Sequence, residues 1–532
     1  MAAVDYTDKR VLLVESSGNM RAAIFYMLRS LGVANIRASS VNDRVLSEIQ
    51  TGDYDIVLLG HNVSDTVAGI QLLEEARYLG YMKPTASWVF MTSDASQETV
   101  LHAIDSRPDI LITKPFTVDE LKQRLDGLVR KRMLFHDIDR ALQSGDDEAA
   151  LRIALTSFSP GHPYFHDAQL IACKLLVKLE RYPQLLQLAE NLYWKTHDKE
   201  AGLYWAEGLL NTGDIDGCVT FLRDLIAKNP LYMAAYDLLT LAHEMLGELD
   251  EARDIVQVAA SKAPMGIPRQ MELGRLATQT SQLEVAQGAY KRSISLGHKS
   301  CYKSPEPYLR LANVHRLEAA GAEDNRRLDL EKRFEETLSQ ASVQFRDKPE
   351  LAVKTALLRG EMAKTLGQED EASACFQEAE QLNSMLEEPL GLEQEMAALN
   401  GKSAVKPKPK VVKKSAASSG RDPDMSSKVN RQGIKHYANG RLSQALRHFG
   451  LALEYDPTNG RALCNLAQMY LELARDDTSK RDARLIMFDR NIYLAGKLPL
   501  SAEAAKKKEM LQALRTGDMD AMPEGQLGLL LK

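Results

Sequence analysis

Four short apolar runs in the first 115 residues end on positions where chemistry would be expected. Glu15 and Ser16 follow RVLLV, Thr92 closes the run WVFMTS, Lys114 stands before Pro115 at the end of DILITK, and Gly60 ends DIVLLG. A carboxylate, two hydroxyls and an ammonium are groups for polar recognition or group transfer, provided one pocket gathers them. Gly60 is the exception, because it has no side-chain atom to attack or coordinate with. The rest of the chain offers less. Its 11 histidines show no metal-ligand spacing, and H-E-x-x-H, P-loop and G-x-S-x-G patterns are missing. His436 and His448 fall on different helices of one repeat, where facing solvent is the default. The pairs Tyr193-Trp194 and Tyr204-Trp205 would give a ligand contact area, but core packing explains them more simply. Cys173, Cys218, Cys301, Cys375 and Cys464 are scattered, as expected of idle thiols in a reducing compartment. No catalytic residue emerges, and no enzyme is expected.

The elements that must position the strand-end residues are legible. The runs RVLLVE, NIRAS, DIVLLG, WVFMTS and DILITK alternate with stretches of helical spacing such as MRAAIFYMLRSLG and GIQLLEEARYLG. Continuous apolar strands alternating with amphipathic helices imply a parallel sheet covered on both faces. Five such units fit the flavodoxin-like α/β fold, whose ligand site lies at the carboxyl ends of the first and third strands. A dinucleotide-binding fold is excluded, because the first turn, ESSGNM, is not G-x-G-x-x-G.

This layout resembles the receiver domain of bacterial two-component response regulators over the whole segment. That family has two acids after the first strand, an aspartate after the third, Thr or Ser after the fourth and Lys-Pro after the fifth. The resemblance implies that the acids hold Mg2+, the third-strand aspartate accepts a phosphoryl group, and the hydroxyl and lysine contact its oxygens. The run ESSGNMR matches the family's acid-acid-x-x-x-Met-Arg, so Ser16 stands in place of the second acid and Gly60 in place of the phosphoacceptor. Glu15, Thr92 and Lys114 keep their types. Two neighbours of position 60 are potential substitutes: Asp65 falls five residues on, and the side chain of His61 should alternate to the opposite side of the strand. Glu15 alone makes a weak Mg2+ site. No cofactor is therefore expected, and Lys114 should pair with Glu15 directly.

After residue 136 the pattern becomes helical with a fixed period. Gly213, Gly247 and Ser281 lie 34 residues apart, Cys218, Ala252 and Ala286 follow in step, and Pro230 and Pro264 close two units. This is the tetratricopeptide (TPR) signature, in which small residues let paired helices approach and proline ends the second helix. GDDEAA (145–150) and ERYPQLLQLAENL (180–192) read as degenerate early units. Further copies surround Gly360–Ala379 and Gly433–Pro457, and the phase slips between Ala286 and Ala372. Residues 401–427 are rich in Lys, Pro, Ser and Ala, with seven basic residues and no acid from Lys402 to Arg421. That composition reads as a disordered tether, in preference to a strip for nucleic acid or an anionic membrane.

The expected domains are a receiver-like domain (1–132), a TPR α-solenoid (133–400), a basic flexible linker (401–427) and a C-terminal TPR block with capping helices (428–532). No Pro break separates TVDELKQRLDGLVRKRMLF from HDIDRALQSGD, so the fifth receiver helix should run on into the repeats. A net charge of −6 over 532 residues gives no reason to expect nucleic acid, and neither a secretory signal nor a membrane span is seen. The functional expectation is a cytoplasmic, non-catalytic bacterial signalling adaptor. Its partners would be a histidine kinase, another response regulator or an output enzyme, held by a phosphorylation-incompetent receiver and the TPR surfaces. Alternatively, the repeats are a scaffold outside two-component signalling and the receiver is only a docking module. Receivers of this family commonly dimerise, which leaves a homodimer open.

Overall fold

A computed structural model describes residues 4–531 except 43, 63–68, 299, 403–422, 457, 477–480, 499, 518–521 and 524. Asp65, Pro457 and most of the expected linker lie outside the described residues. The chain divides into two compact units, Met1–Val411 and Val412–Lys532.

The first unit opens with β1 (Arg10–Val14), α1 (Gly18–Ser30), β2 (Asn35–Ser39), α2 (Arg44–Thr51), β3 (Ile56–His61), α3 (Gly69–Tyr78), β4 (Ser87–Thr92), α4 (Gln97–Asp105), β5 (Ile110–Thr113) and α5 (Val118–Gln143). The strands form one parallel sheet in the order β2-β1-β3-β4-β5. β3 and β4 are buried along their whole length, which is why their sequences are continuously apolar. Val11, Leu13, Leu58 and Met91 enter one apolar layer, while Leu12, Val14, Leu59 and Phe90 enter the other.

The helical region continues with α6 (Asp147–Thr156), α7 (Phe165–Lys178), α8 (Tyr182–Thr196), α9 (Lys199–Asn211), α10 (Ile215–Lys228), α11 (Met233–Leu246), α12 (Leu249–Lys262), α13 (Ile267–Gln279), α14 (Leu283–Gly297), α15 (Glu306–Ala319), α16 (Asp324–Gln344), α17 (Pro349–Thr365), α18 (Glu369–Ser384) and α19 (Leu392–Leu399). Most units turn between their helices through a left-handed residue, the α15–α16 pair being an exception. Gly213, Gly247 and Ser281 all have positive φ, and so do Gly145 and Glu180 in the degenerate early units. The 34-residue spacing thus marks a conformation that glycine adopts without strain. Cys218, Ala252 and Ala286 are fully buried where the helices cross. The phase slip has several contributions: α16 is 21 residues long against 14 or 15 for the second helices of the preceding units, α17 is 17 residues long, and the α14–α15 connection is longer than the one between α12 and α13. Tyr193, Tyr204 and Trp205 are buried, the last packing on Phe221 with ring centroids 4.4 Å apart, so these aromatics are core.

α5 is one helix of 26 residues, started by a Thr117–Glu120 capping box. Leu121, Leu125, Leu128 and Val129 pack under the sheet, whereas Phe135 and Ile138 belong to the repeat core. The expected boundary at 132/133 therefore falls inside a helix. There Arg132 donates to Ala86 O at 2.8 Å and pairs with Asp109 at 3.0 Å.

The second unit contains α20 (Pro423–Ala438), α21 (Leu442–Tyr455), α22 (Gly460–Asp476), α23 (Arg481–Gly496) and α24 (Ala502–Thr516). Helix thus begins at Pro423, within the stretch expected to be linker. His436 and His448 are half-buried and face each other, with centroids 4.5 Å apart, rather than pointing into solvent. Among the described residues, no helix is long and apolar enough to cross a membrane.

Candidate functional site

The carboxyl ends of β1, β3 and β5 bring Glu15, Gly60 and Lys114 together. Glu15 is fully buried. Its carboxylate accepts from Lys114 Nζ at 2.9 Å, Asn62 Nδ2 at 2.9 Å and the Ser17 N–H at 3.0 Å. Burial pushes the carboxyl up, but the Asn62, Lys114 and Ser17 donors together outweigh it and hold Glu15 below the ordinary range. Lys114 Nζ also donates to Asn62 Oδ1 at 2.9 Å and His61 O at 3.2 Å, which uses its three protons. The direct Glu15–Lys114 pair expected from the sequence is present.

The space beside Gly60 is not empty. A Cβ placed there would overlap Glu15 Oε2, and would lie 2.9 Å from Glu15 Cδ and 3.1 Å from Val14 O. The acid of β1 has folded over the place of the missing side chain and is held there by Lys114 and Asn62. A side chain at 60 and this arrangement of Glu15 exclude one another.

Ser16 and Thr92 have hydrogen-bond partners of their own. Ser16 Oγ accepts from Asn62 Nδ2 at 2.6 Å. Thr92 is buried, and its hydroxyl accepts the Asp94 N–H at 3.0 Å, committed to its own turn. The His61 ring is buried and stacks on Phe90, with centroids 5.7 Å apart. Among the described residues, no group of three or more His, Cys, Asp or Glu is placed to hold a metal ion.

Two features escaped the sequence reading. Asn62 joins Glu15, Ser16 and Lys114, and its only signal was its place just beyond a strand end. The other is the environment of α4, which packs against the repeats. Leu101 enters an apolar cluster with Met233, Tyr236, Ala259 and Ala263. Arg269 pairs with Asp105 at 3.1 Å and with Asp237 at 2.8 Å. Glu74 accepts from Ser300 at 3.1 Å and lies 3.2 Å from His102. A cleft of about 1160 Å³ remains between the two, lined by Arg77, Arg107, Lys174, Tyr204, Glu207 and Tyr232 among others.

The family model for the response regulator receiver domain matches residues 11–126. Chemotaxis protein CheY-3 of Vibrio cholerae is 28% identical over 131 residues, which is 25% of this chain and 99% of that protein. Transcriptional regulatory protein CiaR of Streptococcus pneumoniae is 28% identical over 128 residues, 24% of this chain and 54% of that protein. Among solved structures, a tetratricopeptide repeat protein from Parabacteroides merdae covers 50% of this chain and 97% of its own, at 12% identity and TM-score 0.31. A CheY-like receiver domain protein from Methanospirillum hungatei covers 24% and 98%, at 20% identity and TM-score 0.22. Residues 11–126 are a response-regulator receiver domain, and the helical repeats that follow it are of the tetratricopeptide type.

Proposed function

We propose that this chain is a non-catalytic signalling adaptor whose receiver holds a single state without accepting phosphate. Receivers and tetratricopeptide repeats are both modules of protein–protein contact, so a signalling or scaffolding role follows from their pairing alone. The finer reading rests on one observation: the Glu15 carboxylate, pinned by Lys114 and Asn62, occupies the space where a phosphoacceptor side chain would stand beside Gly60. A glycine forms no acyl phosphate, and the remaining carboxylate is engaged by the Lys114 ammonium. The partners proposed are a histidine kinase, another response regulator or an output enzyme in the cytoplasm, for which a receiver frozen in one state is a competitor.

The test is intact-mass analysis after incubation with phosphoramidate and Mg2+. No adduct is expected on the native chain. A stoichiometric phosphoryl adduct on residues 4–132 would overturn the reading and restore a conventional switch.

The docking of α4 favours a second reading. Leu101 and Asp105 face the chain's own repeats, so this part of the receiver surface is already engaged in cis. On that reading the receiver is a docking module of a scaffold, and affinity capture would return partners outside two-component pathways.

A further inference from the structure

The cleft between α4 and the repeats gathers cations that the chain itself does not neutralise. Most acids on its walls are already spent. Asp105 and Asp237 pair with Arg269, and Glu244 and Glu272 pair with Arg275. Asp109 is held by Arg132, and Glu74 by Ser300 and His102. Arg77, Arg107, Lys174 and Lys199 line the same cleft. Among the described residues, no carboxylate lies within salt-bridge distance of any of these four. Lys199 sits over the Tyr232 ring at 5.1 Å, and Arg77 donates to the Asp105 carbonyl at 2.7 Å.

Arg77 on α3, Arg107 just past α4 and Lys174 on α7 are close enough to repel one another. Desolvation in the cleft and then Arg107 lower the Arg77 guanidinium. Desolvation, Arg107 and Arg77, in that order, lower the Lys174 ammonium against the pull of Glu200. Glu207, the other carboxylate within reach, is pushed up by burial with Arg107 opposing, which makes it a poor counter-charge. The main chain at Arg107 is also unusual. Its φ is +49° directly before Pro108, where extended backbone is the norm. Helices often end on a left-handed residue, but glycine usually takes that place. Here the position carries a guanidinium within electrostatic reach of Lys174, Tyr204 and Glu207.

We infer that this cleft is a binding site for a phosphate-bearing small molecule of nucleotide size, its phosphate oxygens held by Arg77, Arg107 and Lys174. Two guanidinium forks and an ammonium, brought from three different elements, suit a multiply charged oxyanion. At about 1160 Å³ the cleft is larger than an inorganic ion needs and matches pockets for small organic ligands. The Tyr204 and Tyr232 rings supply its walls. An extended peptide fits less well, because the repeat surface is closed farther along. There Leu399 O accepts from Asn313 at 2.9 Å and Gly401 O from Arg275 at 3.0 Å. A ligand held by Arg77 and Arg107 of the receiver and Lys174 of the repeats fastens α4 in its place. The site does not rest on the adaptor reading. A phosphoryl adduct on the receiver would leave it untouched, and failure to bind a phosphate ligand would leave the argument at Gly60 standing.

The test is isothermal titration of the full-length chain with ADP and, separately, with pyrophosphate, at fixed ionic strength. Saturable one-to-one binding of ADP is expected, with pyrophosphate binding more weakly because it leaves the tyrosine walls uncovered. Arg107→Gly removes the guanidinium and relaxes the left-handed position at the same time. It should therefore weaken ADP binding about tenfold or more while raising the thermal midpoint of the free chain. Lys174→Gln should weaken binding to a similar degree. Arg152→Gln, at an exposed position on α6, should leave it unchanged. Absence of binding by both probes at about 1 mM, or native affinity in Arg107→Gly, would overturn the proposal. So would an equal loss in Arg152→Gln, which would make the attraction a diffuse effect of surface charge, or pyrophosphate binding as tightly as ADP, which would leave no organic part to recognise.

Discussion

Lys114 and Glu15 have side chains 3% and 0% exposed, so water cannot replace either partner. Breaking a buried ion pair from one side costs about 3–5 kcal/mol, because the other charge stays behind uncompensated. Lys114→Met is expected to lose that much stability, read as a lower urea midpoint at unchanged slope. A loss under about 1 kcal/mol would mean that solvent reaches the carboxylate. Acid acts in the same direction. The folded-state Glu15 carboxyl titrates below its unfolded value, so its contribution is present above the unfolded value and disappears as pH falls through the folded one. Glu15, Gly60 and Lys114 were legible as a set because each ends an apolar strand. Asn62 was not, since a residue one step past a strand has no periodic signal to mark its direction.

Ser281 shows what the repeat marks mean physically. It occupies the left-handed position that Gly213 and Gly247 hold in the preceding units, at φ +59°. A side chain there costs about 1–2 kcal/mol relative to glycine, part of which the greater unfolded-state freedom of glycine offsets. Ser281→Gly should therefore raise stability by about 0.5–1 kcal/mol in thermal or urea unfolding, and a destabilised variant would show that the Ser281 side chain contributes elsewhere. The same logic explains what the period could and could not reveal. Gly213, Gly247 and Ser281 announced the repeats because the left-handed turn constrains residue type. The length of α16 went unread, because its extra turns follow the same helical spacing as the rest. The α4 contact was invisible for a related reason: Leu101 and Asp105 on their own helix read as an ordinary apolar and an ordinary polar position.

At the scale of the whole molecule, each unit holds a histidine whose protonation its surroundings disfavour, His315 buried and His436 half-buried. Burial pushes His315 in the first unit down to about 4, with Lys291 and Arg333 adding repulsion and Asp329 opposing them. Burial and the neighbouring His448 do the same to His436 in the second, again to about 4. Both folded values lie below the unfolded one near 6.5, so the unfolded chain binds more protons in between. Stability is intact above about pH 6.5 and falls steadily toward pH 4. For His315, 2% exposed, the loss is on the order of 3 kcal/mol. His315→Gln should flatten the acid limb of the stability profile of the first unit, and an unchanged limb would assign it to carboxylates instead.

The unbroken α5 decides how this protein can be cut. A fragment ending at 132 would sever the helix in the turn where Arg132 grips Ala86 and Asp109. One carried on to Gln143 would bare Phe135 and Ile138, which belong to the repeat core. A scission within Val118–Gln143 cuts one continuous helix whose two ends belong to different cores, so a fragment ending there is expected to fray at the cut and to be less stable than the same residues in the whole chain.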